Sequence, residues 1–515
     1  MTEISSNNKR IVKNTLMLYC RTFVVLIVSL YTSRIVLNAL GIEDYGIHNV
    51  VGGVVGMFSA ISGSLSFAIS RYLTFALGKG DNIRLNEVFC TSINILLGLS
   101  LLVVIIGEVG GLWFIYNKLV IPATRINAAV WVLQASLFAF CVNLLSIPYN
   151  ALIVAHERMS AFAYISVLEA VLKLIVCYCI IIMPYDKLIV YSMLTAFVAL
   201  IIRLIYGFYC KRHFEECKYR LVRDSQLVNG MGSFTGWSFL THSIFVLNTQ
   251  GVNILMNLFF GVTLNAARGI AVQVQNVITQ FVLNFTSALN PQITKYYAQG
   301  NLKEMYILIC RGAKIGFFLF LILALPILFE SDYILQLWLG KVPNHTPNFV
   351  RLTIIGSMID RLGDTGTTAI RASGHVKRYA LNLGVVTVFI FPLTWMFFIL
   401  GYEPEVSYMV FIFIYIIVLE ERLRILKDCI QFPITMFLNL VIIRIIACMA
   451  ISIVVPMLIV MTIQSSFIRL VLSIICGVPW SLLCIYMCGL TQRERIAINS
   501  VIKSRLGSII YFLQR

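Results

Sequence analysis

Apolar stretches long enough to cross a bilayer recur from one end of this chain to the other, and the first is "NTLMLYCRTFVVLIVSLYTSRIVLNALG" at 14–41. A hydrocarbon core about 30 Å thick takes about 20 helical residues, and backbone polar groups in lipid must be satisfied within the spanning element itself. Read at that length, the sequence gives spans near 12–38, 46–72, 88–113, 126–150, 161–184, 188–210, 233–257, 265–290, 308–330, 350–371, 380–401, 405–421, 436–461 and 468–490. An all-α polytopic membrane protein of about 14 transmembrane helices is therefore expected. The residues between spans are too few for an extramembrane domain. The first run exceeds the roughly 7–15 apolar residues of a signal-peptide core and no small-residue cleavage site follows it, so it is expected to remain as the first span. The 13 cysteines lie mostly inside apolar runs, without metal-ligand spacing, and read as small hydrophobes. Neither a metal nor another cofactor is expected.

A formal charge of +17 would suggest nucleic acid in a soluble protein, so the placement of the basic residues decides. Outer loops hold only Lys118, Arg125, Lys187, Lys341, Arg351 and Arg469, whereas inner segments include "KRHFEECKYRLVR" at 211–223, "GHVKR" at 374–378, "ERLRILK" at 421–427 and the tail from Arg493. That asymmetry puts both termini in the cytoplasm. The excess charge reads as a topology signal with some contact to anionic membrane lipid, and no nucleic-acid partner follows. Inside the spans or at their edges remain Arg21, Arg34, Arg71, Lys173, Arg203, Arg268, Arg361 and Arg444.

The chain also repeats. Residues 41–81, "GIEDYGIHNVVGGVVGMFSAISGSLSFAISRYLTFALGKGD", align without a gap on 261–301, "GVTLNAARGIAVQVQNVITQFVLNFTSALNPQITKYYAQGN", an offset of 261 − 41 = 220. A second match sets 151–164 against 369–382, at 369 − 151 = 218. Six spans separate the copies, so both insert in the same orientation, related by a pseudo-two-fold along the membrane normal. The expected organisation is two six-helix lobes, 1–225 and 226–430, followed by two further helices and a cytoplasmic tail over 431–515.

In the eighth span Gln273, Asn276, Gln280, Asn284 and Ser287 recur at helical spacing on one face. A lipid-facing helix carries such a row only at a cost, so a cavity lining is one reading and interhelical hydrogen bonding the other. The matching face of the second span, Gly53, Gly56, Ala60, Ser64 and Phe67, is mostly small and permits close helix approach. The seventh span adds His242, Asn248, Gln250, Asn253 and Asn257, and the tenth Asp360, Arg361, Asp364, Thr365, Thr367 and Thr368.

Each charge has its own alternatives. Arg21 lies eight residues past Lys13, about 12 Å along the helix and deep for snorkelling. Arg203 stands equally far from Lys211 but has reach toward the inner interface. Lys173 either faces the cavity or is neutralised by Glu169, four residues earlier on the same face. Arg268 begins the polar eighth span near its outer rim. Arg361, between Asp360 and Asp364, is open to local balance. Glu108, His242, Asp360 and Asp364 are the titratable candidates for coupling to a proton or a sodium ion. An excess of buried cations points to an anionic cargo, because guanidinium groups hold phosphate oxygens in a two-pronged hydrogen-bonded pair.

The stretch "NTQGVNILMNLFFGVTLNAARGIAVQVQNVITQFVLNFTSALNPQITKYYAQGN" at 248–301, with "SRIVLNALGIEDYGIHNVVGG" at 33–53, resembles the Wzx-type O-antigen and capsular polysaccharide flippases of the multidrug/oligosaccharidyl-lipid/polysaccharide exporter superfamily. The resemblance implies translocation of an undecaprenyl-diphosphate-linked oligosaccharide across the bacterial inner membrane by alternating access, with a cationic lumen for the diphosphate. It also implies contact with other polysaccharide assembly proteins, and it leaves the glycan open. The residues placed in the cavity are Arg21, Lys173, Arg203, Arg268, Gln273, Asn276, Gln280 and Asn284. A lipid II flippase or a multidrug/cation antiporter shares the architecture. A membrane-embedded glycan polymerase or acyltransferase would need a catalytic constellation, commonly on a sizeable outer loop, and the outer segments hold no paired acids, metal cluster or nucleophile motif.

Overall fold

A computed structural model describes the backbone of residues 2–499 except 79, 157, 221, 223, 225, 226, 228, 230, 232–238, 240–242, 493, 497 and 498, and side chains from Arg21 onward with a few gaps such as Asn284. Every regular element among the described residues is helical. In chain order these are α1 (Thr2–Leu40), α2 (Ile42–Gly56), α3 (Ser59–Gly78), α4 (Asn82–Asn117), α5 (Ile126–Leu144), α6 (Ile147–Ala155), α7 (Met159–Ile182), α8 (Lys187–His213), α9 (Val252–Phe260) and α10 (Val262–Ala298). They continue as α11 (Leu302–Leu339), α12 (Thr346–Arg361), α13 (Asp364–Ala372), α14 (Val376–Val388), α15 (Ile390–Ile399), α16 (Val406–Ile430), α17 (Ile443–Ser452), α18 (Val454–Thr462) and α19 (Phe467–Cys484).

Among the described residues, ten helical stretches are long and apolar enough to cross a bilayer, and α2 with α3, bent by 51°, makes an eleventh. The other three expected spans are helical too, as α10, α12 with α13, and α16. They are more polar than a lipid-facing span, through the amide row of α10, the charges at the α12–α13 break and the "EERLRILKD" end of α16.

The chain forms two compact units. One comprises Met1–Ile270, Leu339–Thr346 and Val388–Ser407. Within it α3 packs on α6 around Ile69, Leu73, Phe89 and Leu152, α5 on α4 and α8 around Val132, Leu133 and Leu188, and α1 on α7 around Val36, Cys177 and Ile180. Its polar residues serve as glue: the Asn257 side chain bonds both the amide (2.9 Å) and the carbonyl (3.4 Å) of Val120, and Asn265 donates to the carbonyl of Asn253 at 2.7 Å. Asn253 in turn donates to the Asn49 carbonyl at 3.3 Å, where α9 crosses α2. Opposite Gly53 a Cβ would stand 2.8 Å from the Asn253 amide nitrogen, so the small face of α2 admits this contact. At one end of the unit Arg125 clasps Asp44 and Asp186, each at 2.5 Å. Burial opposes the charge on Asp186, but the hydrogen bonds and charge of Arg125 with the amides of Ile189 and Leu188 outweigh it and hold the carboxyl below its ordinary value.

The other unit comprises Ala271–Trp338, Pro347–Thr387 and Tyr408–Arg515. Its axis is α11, which carries Pro326 and bends where Glu330 leaves helical geometry (φ −111°, ψ 19°). Ion pairs tie the C-terminal helices to α11 at two levels. Glu330 accepts from Arg469 at 2.8 Å and from Ser473 at 3.1 Å, and Lys314 donates to Glu494 at 2.6 Å.

The sequence repeat reappears in backbone geometry. Gly41 and Gly261, 220 apart, take φ of +85° and +80°, and Gly80 and Gly300 both take +69°. These left-handed values suit glycine and set both ends of each copy. Even the caps agree, since Asp81 accepts from the Arg84 amide (2.9 Å) and Asn301 from the Glu304 amide (3.4 Å). The copies differ in between: the first breaks at Met57–Phe58, whereas α10 continues through 37 residues.

Candidate functional site

In the first unit two guanidinium groups rest on aromatic faces. The Cζ of Arg21 lies 4.5 Å from the Phe162 ring centroid and that of Arg203 lies 3.9 Å from the Tyr149 centroid. The Nε atoms of both are buried without a hydrogen-bond partner, and among the described residues no carboxylate pairs with either. Stacking on a ring neutralises no charge, although it is worth up to about 2 kcal/mol when desolvated. Tyr206, one turn beyond Arg203 on α8, lies within electrostatic range of both Arg21 and Glu169, so the two arginines belong to one region of α1, α6, α7 and α8. The other cations expected in the cavity are differently placed. Lys173 donates to Glu169 at 2.6 Å, the i,i+4 pair, and Arg268 donates to the carbonyl of Thr249 at 3.1 Å.

Gly207, which the sequence did not mark, makes the room for Arg203. A Cβ there would stand 2.8 Å from the guanidinium Nη1. Because that atom ends a flexible side chain, Gly207→Ala is expected to change stability by less than about 1 kcal/mol while pushing the guanidinium off Tyr149. Transport measured at matched expression should then fall severalfold in wild-type background and not at all further in Arg203→Gln. An equal loss in both backgrounds would show that Gly207 acts elsewhere.

In the second unit α10 has two faces. Ala271, Ile278, Val282 and Thr286 are buried, with Val282 and Thr286 against Gly316 of α11, and Gln275 on the same side donates to Ser357 at 2.7 Å. Gln273, Asn276 and Gln280 lie on the opposite side of the helix, away from the unit's own core, with Asn276 exposed. His242 and the side chain of Asn284 lie outside the described residues. If the amide row faces water, cysteines at Asn276 and Gln280 should react at least tenfold faster with a charged, membrane-impermeant thiol reagent than one at Phe281. That residue is also exposed, 48%, but on a different face. Equal rates would remove the aqueous face.

The acids considered for ion coupling have partners. Asp360 is bonded by Arg361 and by Arg422 (2.9 Å), and Asp364 by Arg361 at 3.2 Å. Arg422 also donates to the Asp360 carbonyl at 2.8 Å, closing the end of α12. Two acids and two arginines make a neutral group. Arg422 sits in the basic stretch at 421–427, where a topology reading hides it. Glu108 accepts from Gln134 at 2.8 Å.

The fold is that of the MATE-type membrane transporters. Residues 239–396 match the MatE family model. An inward-facing multidrug resistance MATE family transporter of the MOP superfamily superposes with a TM-score of 0.63 at 14% identity, over 79% of this chain and 99% of that one. The lipid II flippase MurJ, in an inward closed conformation, gives 0.66 at 13%, over 92% of this chain and 98% of that one. An outward-facing multidrug resistance MATE family transporter gives 0.55 at 13%, over 81% of this chain and 96% of that one. Among curated proteins no sequence matches.

Proposed function

We propose that this protein translocates an undecaprenyl-diphosphate-linked oligosaccharide across the bacterial inner membrane by alternating access of lobes 1–225 and 226–430, with both termini cytoplasmic. The observation that carries the reading is the pair Arg21 and Arg203, which rest on rings and, among the described residues, form no ion pair with an acid. A half-buried cation with no described counterion is costly in a membrane, and a diphosphate supplies the missing charge with the bidentate geometry that guanidinium prefers. The amide row of α10 adds donors and acceptors suited to sugar hydroxyls. A cation exporter would need free acids, whereas Asp360 and Asp364 are held by arginines. Among the four titratable candidates, Glu108, with only a glutamine as its described partner, is best suited to bind a coupling proton or sodium ion. Cargo delivery implies contact with other polysaccharide assembly proteins.

Lipid II is the second cargo reading. MurJ aligns over 92% of the chain, against 79% for the inward-facing MATE transporter. The deciding experiment depletes the protein and identifies the lipid-linked saccharide that accumulates on the cytoplasmic leaflet. A polysaccharide repeat unit supports the first reading and lipid II the second. No accumulation, with new sensitivity to cationic dyes, overturns both in favour of an antiporter.

A further inference from the structure

A second cationic cluster lies within the second unit, where α11 meets the C-terminal helices. Lys314, 1% exposed, donates to Glu494 at 2.6 Å, and Arg311 approaches the other oxygen of Glu494 at 3.7 Å with 44% of its side chain exposed. Arg444 lies within electrostatic range of Lys314. It donates through Nη1 to the Leu490 carbonyl at 3.0 Å, and its Nε is buried without a partner. Two cations thus share the Glu494 carboxylate, and a third, Arg444, stands close enough to Lys314 to repel it.

Most other acids of these helices are committed, Glu330 to Arg469, Asp360 and Asp364 to Arg361 and Arg422, Glu420 and Glu421 to Arg424, and Asp428 to Arg378, while Glu304, exposed seven residues before Arg311, has no ion pair with the three cations among the described residues. Among the described residues no second carboxylate lies within ion-pair distance of the three cations, which leaves a local surplus of two positive charges. Arg311 opens it to the surroundings, at the end of α11 that precedes the apolar run starting at Ile315. With the apolar run from Ile315 read as a membrane span, that position falls at the depth of lipid headgroups, where basic groups between helices take up phosphate.

We propose that Arg311, Lys314 and Arg444 form a binding site for the phosphate of an anionic phospholipid headgroup, wedged between α11 and the C-terminal helices and separate from the candidate cargo residues. Arg311 and Arg444 supply the fork-shaped donors, Lys314 the fixed charge, and Glu494 holds Lys314 in place. The site fastens the C-terminal helices to a lipid, and it does not depend on which cargo is carried.

The test is thermal unfolding of the purified full-length protein in neutral detergent, with phosphatidylglycerol, phosphatidylcholine or inorganic phosphate added at equal concentration. Phosphatidylglycerol should raise the midpoint, and the others should not. Native mass spectrometry should show phosphatidylglycerol bound about fivefold less well to Arg311→Gln, as expected for one cation lost near a charged surface. Arg311 is half exposed, so this variant folds. Arg444→Lys, which keeps the charge but loses the fork, should fall between wild type and Arg311→Gln. Equal stabilisation by phosphatidylcholine, an equal effect of inorganic phosphate, or unaltered phosphatidylglycerol binding by Arg311→Gln would each overturn the lipid site.

Discussion

Arg21→Gln is expected to abolish most transport while leaving the protein inserted and folded. A charged, two-pronged hydrogen bond contributes about 1.5–3 kcal/mol, so rates in a vesicle translocation assay should fall about 10- to 150-fold. Arg21→Lys keeps the charge, loses the fork, and should retain part of the activity. The surroundings sharpen the test: Arg21 stacks on Phe162 and pairs with no described acid. An acid-to-amide change should therefore rescue nothing. Were Arg21→Gln restored by Asp360→Asn or Glu108→Gln, Arg21 would be a structural ion-pair partner. Wild-type export by Arg21→Gln at normal expression would remove Arg21 from the cargo path.

Lys173 is expected to behave differently because its partner is present. The pair with Glu169 has 52% and 38% of its side chains exposed, so neither charge is deeply desolvated by protein. Lys173→Gln should cost more than the double change with Glu169→Gln if the pair is purely structural. Lost transport in both, at normal expression, would place Lys173 at the cargo.

The membrane class, the helical content and the repeat were legible because they depend on local properties that survive folding. Twenty apolar residues commit a segment to the bilayer wherever it packs, and glycines at 41, 80, 261 and 300 mark the same turns in both copies. The exact count of spans was less legible. α10, α12 with α13, and α16 carry polar side chains that are satisfied on other helices, Gln275 by Ser357 and Asp360 by Arg422, and sequence alone does not pair an amide with a hydroxyl 82 residues away. Long-range charge pairing failed for the same reason. Arg469 read as an outer-loop cation and Lys314 drew no reading at all, yet both meet buried acids, Glu330 and Glu494. Gly207 was silent because its role is space: only the neighbouring Arg203 and Tyr149 give its missing side chain a meaning.

Arg469→Leu is expected to produce the largest loss of stability of any single change considered, about 3–5 kcal/mol. Glu330 has no solvent exposure, and among the described residues its carboxylate is met only by Arg469 and the Ser473 hydroxyl, so removing the arginine leaves a charge that one hydroxyl cannot compensate. Glu330→Gln should be nearly as harmful, since the Arg469 side chain is itself only 12% exposed. The double change Glu330→Gln with Arg469→Leu strands neither charge and should recover most of the loss, a coupling that thermal unfolding in detergent can read directly. Arg424 offers the contrast. Its pair with Glu420 is more than 60% exposed on both sides, and Arg424→Gln should shift stability by less than about 1 kcal/mol. If Arg469→Leu were equally mild, water or lipid headgroups must reach Glu330, and the C-terminal helices would be held to α11 by apolar packing and the Lys314–Glu494 pair instead.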